Sequence, residues 1–369
     1  MFVRIKMETK KFAKTKRLVP TAICAADDSL YAISRESPLI YRIDVDTGTA
    51  DAISYLSHGN ESFENLCFMI IHSDTRLFFL PGNRTDLTIY DIASGETESI
   101  SLKGIIERGH INFCCGCVID VFLYLFGYEI DKIVKVDLGA KTCTEITYDT
   151  GDIDIVGGLL ARDYVYFNGN IFVTLLKNNR ILCLNTADDS VSFVELGAAE
   201  KGFSSIIHRN ENFWLIPYEG RNVCRYCLDD GNMTMFDCKS TGRSWYYSGG
   251  VDLDEEIYIL PAYADRIVAL SMDNGTCVEV SKAIKELERL IPSSFDFFCC
   301  SNPIVCRRKI YSYMSSIDKL FCFDPEDDIV DLKEIFLNSY NQDVMRSCVY
   351  ECGIFDEGEI GINEFLESI

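Results

Sequence analysis

Seven short segments of the chain place an apolar residue directly before an aromatic one. They read LYAI at 30, LFFL at 77, LYLF at 123, IFVT at 171, FWLI at 213, IYIL at 257 and IYSY at 310. The aromatics are Tyr31, Phe78, Tyr124, Phe172, Trp214, Tyr258 and Tyr311, spaced by 47, 46, 48, 42, 44 and 53 residues. Thirteen residues after each aromatic a small or polar residue ends a second apolar run: Asp44, Asp91, Asp137, Asn185, Cys227, Ser271 and Asp324. That offset never changes, whereas the gaps between units vary by eleven. A constant offset inside variable gaps describes a rigid hairpin joined to its neighbours by links of free length.

Nine residues further on stands another apolar residue, Ile53, Ile100, Ile146, Val194, Phe236 or Val280. Gly48, Gly95, Gly231 and Gly275 fill the intervening turn, with Asp189 and Asp328 at the same offset. Gly and Asp supply turn conformations that β-branched residues resist. A further apolar run precedes each aromatic, as in CFMII and SSII. Each unit therefore predicts four strands, a to d. One twisted sheet cannot bury both of its faces alone, and seven sheets stacked radially can. The predicted fold is all-β, a seven-bladed β-propeller of four-stranded antiparallel blades forming a single domain over residues 1–369. The expected blades span about 19–56, 66–104, 112–148, 155–198, 202–240, 245–282 and 297–336.

The IYILP second strand and the IDVDTG or YDIASG third strand resemble the kelch and galactose-oxidase type of propeller. The resemblance covers nearly the whole chain but not every hallmark. The kelch double glycine and fourth-strand tryptophan are absent, as is any Trp-Asp dipeptide of the WD40 kind. The copper ligands of galactose oxidase have no counterpart, so the resemblance implies a fold and no activity.

Unit seven breaks the rule. Lys333 stands where an apolar residue is expected, and Ile329, Leu332, Ile335 and Phe336 have helical spacing. A strand from the basic segment 1–17, around Phe2 to Met7, is therefore expected to complete blade seven, with Ser347 to Phe355 as the alternative donor. Ile284, Leu287, Leu290 and Ile291 predict a short helix between blades 6 and 7. A second helix is expected near the end of the extension 337–369. Gly358, Ile360, Glu364 and Phe365 match the second half of an EF-hand loop, but Gly353 and Phe355 cannot supply the first carboxylates.

Composition narrows the function. The chain has 369 residues, 57 acidic against 35 basic side chains and a net charge of -22, with 48% apolar residues. The apolar fraction excludes a disordered chain. The acidity argues against nucleic acid, whose phosphates are gripped by Lys and Arg. No apolar stretch of signal-peptide length follows the basic residues 1–17, and the most apolar segment, Phe113 to Tyr128, is too short for a membrane helix, so a cytoplasmic monomer without membrane insertion is expected. The 17 Cys are then expected to be reduced thiols used as small hydrophobes. Cys224 and Cys227 have redox-motif spacing, but on a strand they face opposite sides and cannot share a metal. No metal site and no cofactor are predicted.

Antiparallel order puts the b–c and d–a links on one face of the ring, and these are the longer, more variable links. Lys132, Arg180, Arg221, Arg266 and Lys319 recur at the start of the third strand. They could bind an anionic ligand such as a uronic-acid sugar or a phosphate, or simply pair with neighbouring acids. The d–a links hold His58, Arg108, His110, Asp152, Asp154, Arg243 and Trp245. His58, His110 and Arg243 are the candidates for a lyase, in which a His abstracts a proton beside an Arg-neutralised carboxylate. Trp245 is a candidate for stacking on a sugar. His72 and His208 occupy equivalent repeat positions, which points to a structural role on the opposite face. The balance is against an enzyme. The leading expectation is a non-catalytic binding module presenting the b–c/d–a face to a protein or carbohydrate partner. The alternative is a carbohydrate-active lyase or hydrolase acting on an acidic sugar.

Overall fold

A computed structural model describes residues 17–34, 37–56, 67–82, 84–106, 113–127, 132–151, 161–197, 202–238, 247–262, 267–280, 302–315 and 317–337. The described chain forms seven sheets, each with four sequential antiparallel strands in the order a-b-c-d. The fold is an all-β, seven-bladed propeller. The first strands are 1a (Pro20–Ala26), 2a (Cys67–Ser73), 3a (Phe113–Ile119), 4a (Ala161–Phe167), 5a (Phe203–Arg209), 6a (Tyr247–Leu253) and 7a (Ile304–Cys306). The expected helices at 281–291 and near 363–369, and the segment 2–7, lie outside the described residues.

The repeated offset has a direct cause in register. Each aromatic lies on strand b opposite a residue 11 positions later on strand c, as in Tyr31 with Arg42, Tyr124 with Lys135 and Trp214 with Arg225. The same pairing recurs in the other four sheets. Two residues further stands the residue that closes the second run, and in five blades its side chain caps the turn to strand d. Asp44 Oδ1 accepts from the backbone N–H of Asp46 (3.0 Å) and Thr47 (2.8 Å), and Asp91, Asp137, Asn185 and Asp324 cap their turns likewise. Asp and Asn side chains form such turns readily. All seven repeated aromatics are buried, none above 9% exposed. Tyr31, Tyr124, Phe172, Trp214 and Tyr258 lie in cores shared by adjacent blades, where each ring contributes about 1.5–3 kcal/mol by burial.

The chain divides into two compact units. The first joins residues 1–112 to 333–369 and holds blades 1 and 2. Their shared core includes Tyr31, Ile33, Ile70, Phe79 and Tyr90. Blade 1 also gains a fifth strand, because Phe336–Leu337 pairs in parallel with Thr49–Ala50 of strand 1d (Thr49–Tyr55). Gly48 is needed there. It adopts φ +72, and a Cβ on it would meet the Glu334 carbonyl oxygen at 2.9 Å. The second unit, Phe113–Leu332, holds the other five blades. Four successive cores join blade 3 to 4, 4 to 5, 5 to 6 and 6 to 7.

The seventh sheet corrects one expectation. It contains a fourth strand of its own, 7d (Ile329–Lys333), so blade 7 does not depend on a donated strand. The helical spacing of Ile329, Leu332, Ile335 and Phe336 misleads because a strand boundary crosses it. Ile329 and Leu332 belong to 7d, Phe336 pairs with blade 1, and buried Ile335 accepts a hydrogen bond from Leu18 N–H (3.0 Å).

Candidate functional site

In six of the seven sheets the a–b ladder slips by one residue near the start of strand a. Such a bulge re-aims a side chain and often lies beside a functional site. Strand a runs from the d–a link towards the a–b turn, so each bulge lies at the d–a end of its blade. In four blades the bulged residue folds its side chain back onto strand b. Thr21 Oγ1 donates to the Ile33 carbonyl (3.3 Å), Ser204 Oγ to Ile216 (3.4 Å) and Ser248 Oγ to Leu260 (3.2 Å). Cys114 Sγ points to the carbonyl of Gly127 at 3.8 Å, and also to that of Ala161 at 2.6 Å.

Blade 4 departs from this pattern. Its bulge carries Arg162, with Asp163 next to it. Strand b supplies the missing hydroxyl instead: Thr174 Oγ1 accepts from Asp163 N–H (3.2 Å) and donates to the Asp163 carbonyl (3.2 Å). The Arg162 guanidinium reaches away from its own sheet and donates to Asn302 Oδ1, just ahead of strand 7a. Burial holds its pKa below the usual arginine value, opposed by nearby Cys114 and Asp163. Guanidinium offers five N–H donors. Asn302 is its one hydrogen-bond acceptor among the described residues, and no ion pair to it occurs among them.

Asp163 is otherwise engaged. Its carboxylate accepts from the backbone N–H of Ile206 (3.1 Å) and of Tyr164 (2.9 Å). The Ser205 hydroxyl also donates to it, and accepts in turn from Gly250 N–H (3.0 Å). A polar chain thus joins strands 4a, 5a and 6a. It needs Gly249, because a Cβ there would meet Ser205 Oγ at 2.7 Å and Pro303 Cδ at 3.1 Å. Burial raises the Asp163 carboxyl from 3.8 to about 6, against the lowering effect of these hydrogen bonds and of Arg162.

The described third-strand cations, Lys132, Arg180, Arg221 and Lys319, lie at the same end of their blades, and three of them pair within their own blade. Lys132 Nζ meets Glu145 Oε2 at 2.8 Å, Arg180 Nε meets Glu195 Oε1 at 2.6 Å, and Arg221 Nη2 meets Asp237 Oδ2 at 3.0 Å. Each acid lies on strand d. Lys319 opens strand 7c (Lys319–Asp324), opposite Met314. Arg266, Trp245, His58, His110, Arg243, Arg108, Asp152 and Asp154 lie outside the described residues. His72 and His208 lie on strands 2a and 5a near the a–b turns. His72 Nε2 contacts the Asp74 carbonyl at 2.7 Å, and the His208 ring packs 4.2 Å from that of Phe167.

The cysteines separate by face. Cys224 is buried in the core between blades 4 and 5, whereas Cys227 is only half-buried. Cys115 and Cys117 share the core between blades 3 and 4, and burial raises both thiols. No group of three His, Cys, Asp or Glu able to hold a metal occurs among the described residues. None of their helices is long and apolar enough to cross a membrane.

Arg162, Asp163 and Asn302 were not foreseen, although the repeat contains their signal. Counting back ten from each aromatic gives Thr21, Phe68, Cys114, Arg162, Ser204, Ser248 and Ser301. Counting back nine gives Ala22, Met69, Cys115, Asp163, Ser205, Gly249 and Asn302. Only unit four carries charge at these positions, and it carries both signs.

No known protein family matches the chain by sequence, and no curated protein does. Solved structures do match. Virginiamycin B lyase from Staphylococcus aureus aligns with TM-score 0.60 at 12% identity, over 82% of this chain and 94% of that one. The computationally designed Ika8 protein gives 0.57 at 9%, over 86% and 87%. The WD40 repeats of RRP9 give 0.52 at 11%, over 74% and 81%. The chain has the β-propeller fold. At these identities the likeness extends to fold alone, and propellers of one fold serve unrelated functions.

Proposed function

We propose that the chain is a non-catalytic binding propeller that presents its b–c/d–a face to a protein or carbohydrate partner, anchored by a carboxylate on that partner. One observation carries this: the partly buried Arg162 guanidinium, turned away from its own blade and provided with a single acceptor among the described residues. A desolvated cation calls for an anion, and a planar fork suits a carboxylate best. Asp163 offsets part of that desolvation through its charge, but its oxygens serve Ile206, Tyr164 and Ser205 and no ion pair joins it to Arg162 among the described residues. The third-strand cations contribute little, since Lys132, Arg180 and Arg221 already have acids beside them. The carboxylate would come from a uronic acid or from an acidic peptide. The kelch-like strand pattern fits the same role without specifying it.

The second candidate is a lyase or hydrolase on an acidic sugar. It is favoured by one feature, a buried carboxyl with its pKa raised to about 6 beside an arginine. A raised carboxyl pKa is a feature of general acids and bases. However, both oxygens of Asp163 are held by backbone donors, which suits an anchored structural group better than a proton shuttle.

A thermal-shift screen with galacturonate oligomers, acidic peptides and neutral sugars separates these cases. Binding predicts a midpoint rise with a carboxylate-bearing ligand and none with its neutral counterpart. Loss of polymer length or growth of ultraviolet absorbance from an unsaturated product would favour the enzyme. No shift with any carboxylate would reject the anchor.

A further inference from the structure

We propose that Cys238 and Cys277 form a reversible disulfide that staples blade 5 to blade 6. The two sulfurs lie 3.0 Å apart although 39 residues separate them in the chain. A disulfide bond is about 2.05 Å long, so closing it needs roughly 1 Å of approach. Both ends are fixed. Cys238 follows strand 5d (Met233–Asp237) and is held by its N–H bond to the Arg221 carbonyl (2.9 Å). Cys277 opens strand 6d (Cys277–Glu279) opposite Leu270. Both belong to the core between these blades, beside Phe236 and Met272.

The two thiols are unequal. Cys238 is buried, and Cys277 is partly exposed. Either S–H can donate across this contact; with Cys238 as the donor, the shared hydrogen bond lowers the Cys277 pKa and raises that of Cys238. A partly exposed thiolate is the attacking species in thiol–disulfide exchange. Cys277 thiolate attacks one sulfur of a low-molecular-weight disulfide such as oxidised glutathione. The bond between the two glutathione sulfurs breaks, and one glutathione leaves. Cys238 then attacks Cys277 sulfur and displaces the second. Two protein thiols lose two electrons in total, and the oxidant becomes two glutathione thiols that carry away the two protons.

The staple lies on the outer strands. The inner strands of the same blades are already tied by the Ser205 bond to Gly250. Cross-linking restricts the unfolded chain, so oxidation should raise the thermal midpoint by roughly 5 °C.

The test incubates the full chain with oxidised glutathione, alkylates the remaining thiols and maps the digest by mass spectrometry. The expected product is a peptide pair joined through Cys238 and Cys277, released by reductant. Cys238→Ala should leave Cys277 carrying glutathione, with no midpoint rise. Should that buried substitution prevent folding, Cys277→Ser replaces it and should leave Cys238 unmodified, again with no midpoint rise. Recovery of both cysteines in alkylated form after incubation would overturn the proposal. So would their pairing with other cysteines, or an equal midpoint rise in the variants.

Discussion

Blade 4 and blades 5 and 6 use the same backbone device for different ends. All three slip by one residue near the start of strand a. In blades 5 and 6 the bulged Ser204 and Ser248 return their hydroxyls to strand b, and the bulge closes on itself. In blade 4 strand b supplies Thr174 to steady the bulge, which leaves Arg162 able to leave the sheet and meet Asn302. Four blades return the bulged side chain to strand b, and blade 4 departs from that frame with a cation and an acid. In a repeat protein, function is most visible where one unit breaks a rule the others keep.

The shared frame gives the largest expected effect. Trp214 is 2% exposed and stacks on Phe236 with ring centroids 5.3 Å apart. Trp214→Ala should cost about 3–5 kcal/mol in denaturant unfolding. A loss below about 1 kcal/mol would mean that the repeated aromatic is not the core position.

Asp163 gives the next effect, and its sign follows from the raised pKa. Between 3.8 and about 6 the folded state holds a proton that the unfolded state has released. Stability should therefore fall as pH rises through this window, by up to about 3 kcal/mol, and level off above it. Asp163→Asn should flatten that part of the profile. An unchanged slope would place the titration elsewhere.

Ser204→Ala and Ser248→Ala should each cost about 1 kcal/mol, by loss of one buried hydrogen bond. Neither should alter ligand response, because their hydroxyls serve only the frame. The smallest effect belongs to Arg180. Its pair with Glu195 lies at the surface, so Arg180→Ala should change stability by no more than about 1 kcal/mol, less at high salt. A loss well above that would show a third-strand cation with a larger structural role than its pairing implies.

Much of the fold was legible because register is periodic. Tyr31, Phe78 and the other five aromatics mark strand b, and Asp44 and its equivalents mark the turn after strand c. Both follow from backbone hydrogen bonding that every blade must satisfy. The end of blade 7 was not legible, because the pattern from Ile329 to Phe336 spans two strands in different sheets. At the site, residue type alone points to His and loop cations. Lys132, Arg180 and Arg221 are consumed by acids that no short spacing links to them. Arg162 and Asp163 escaped notice because they lie inside a strand, in a bulge whose direction depends on pairing. Their contacts to Asn302 and Ile206 span 140 and 43 residues, beyond any local motif.

The most direct test is titration calorimetry with a galacturonate oligomer and an acidic peptide, comparing the native chain with Arg162→Gln and Arg180→Gln. With Arg162 as the anchor, at least one carboxylate ligand should bind the native chain and the Arg180 variant alike, and Arg162→Gln should weaken it by about tenfold or more, the worth of one charge-assisted contact. Equal binding by Arg162→Gln, or a loss confined to Arg180→Gln, would contradict it.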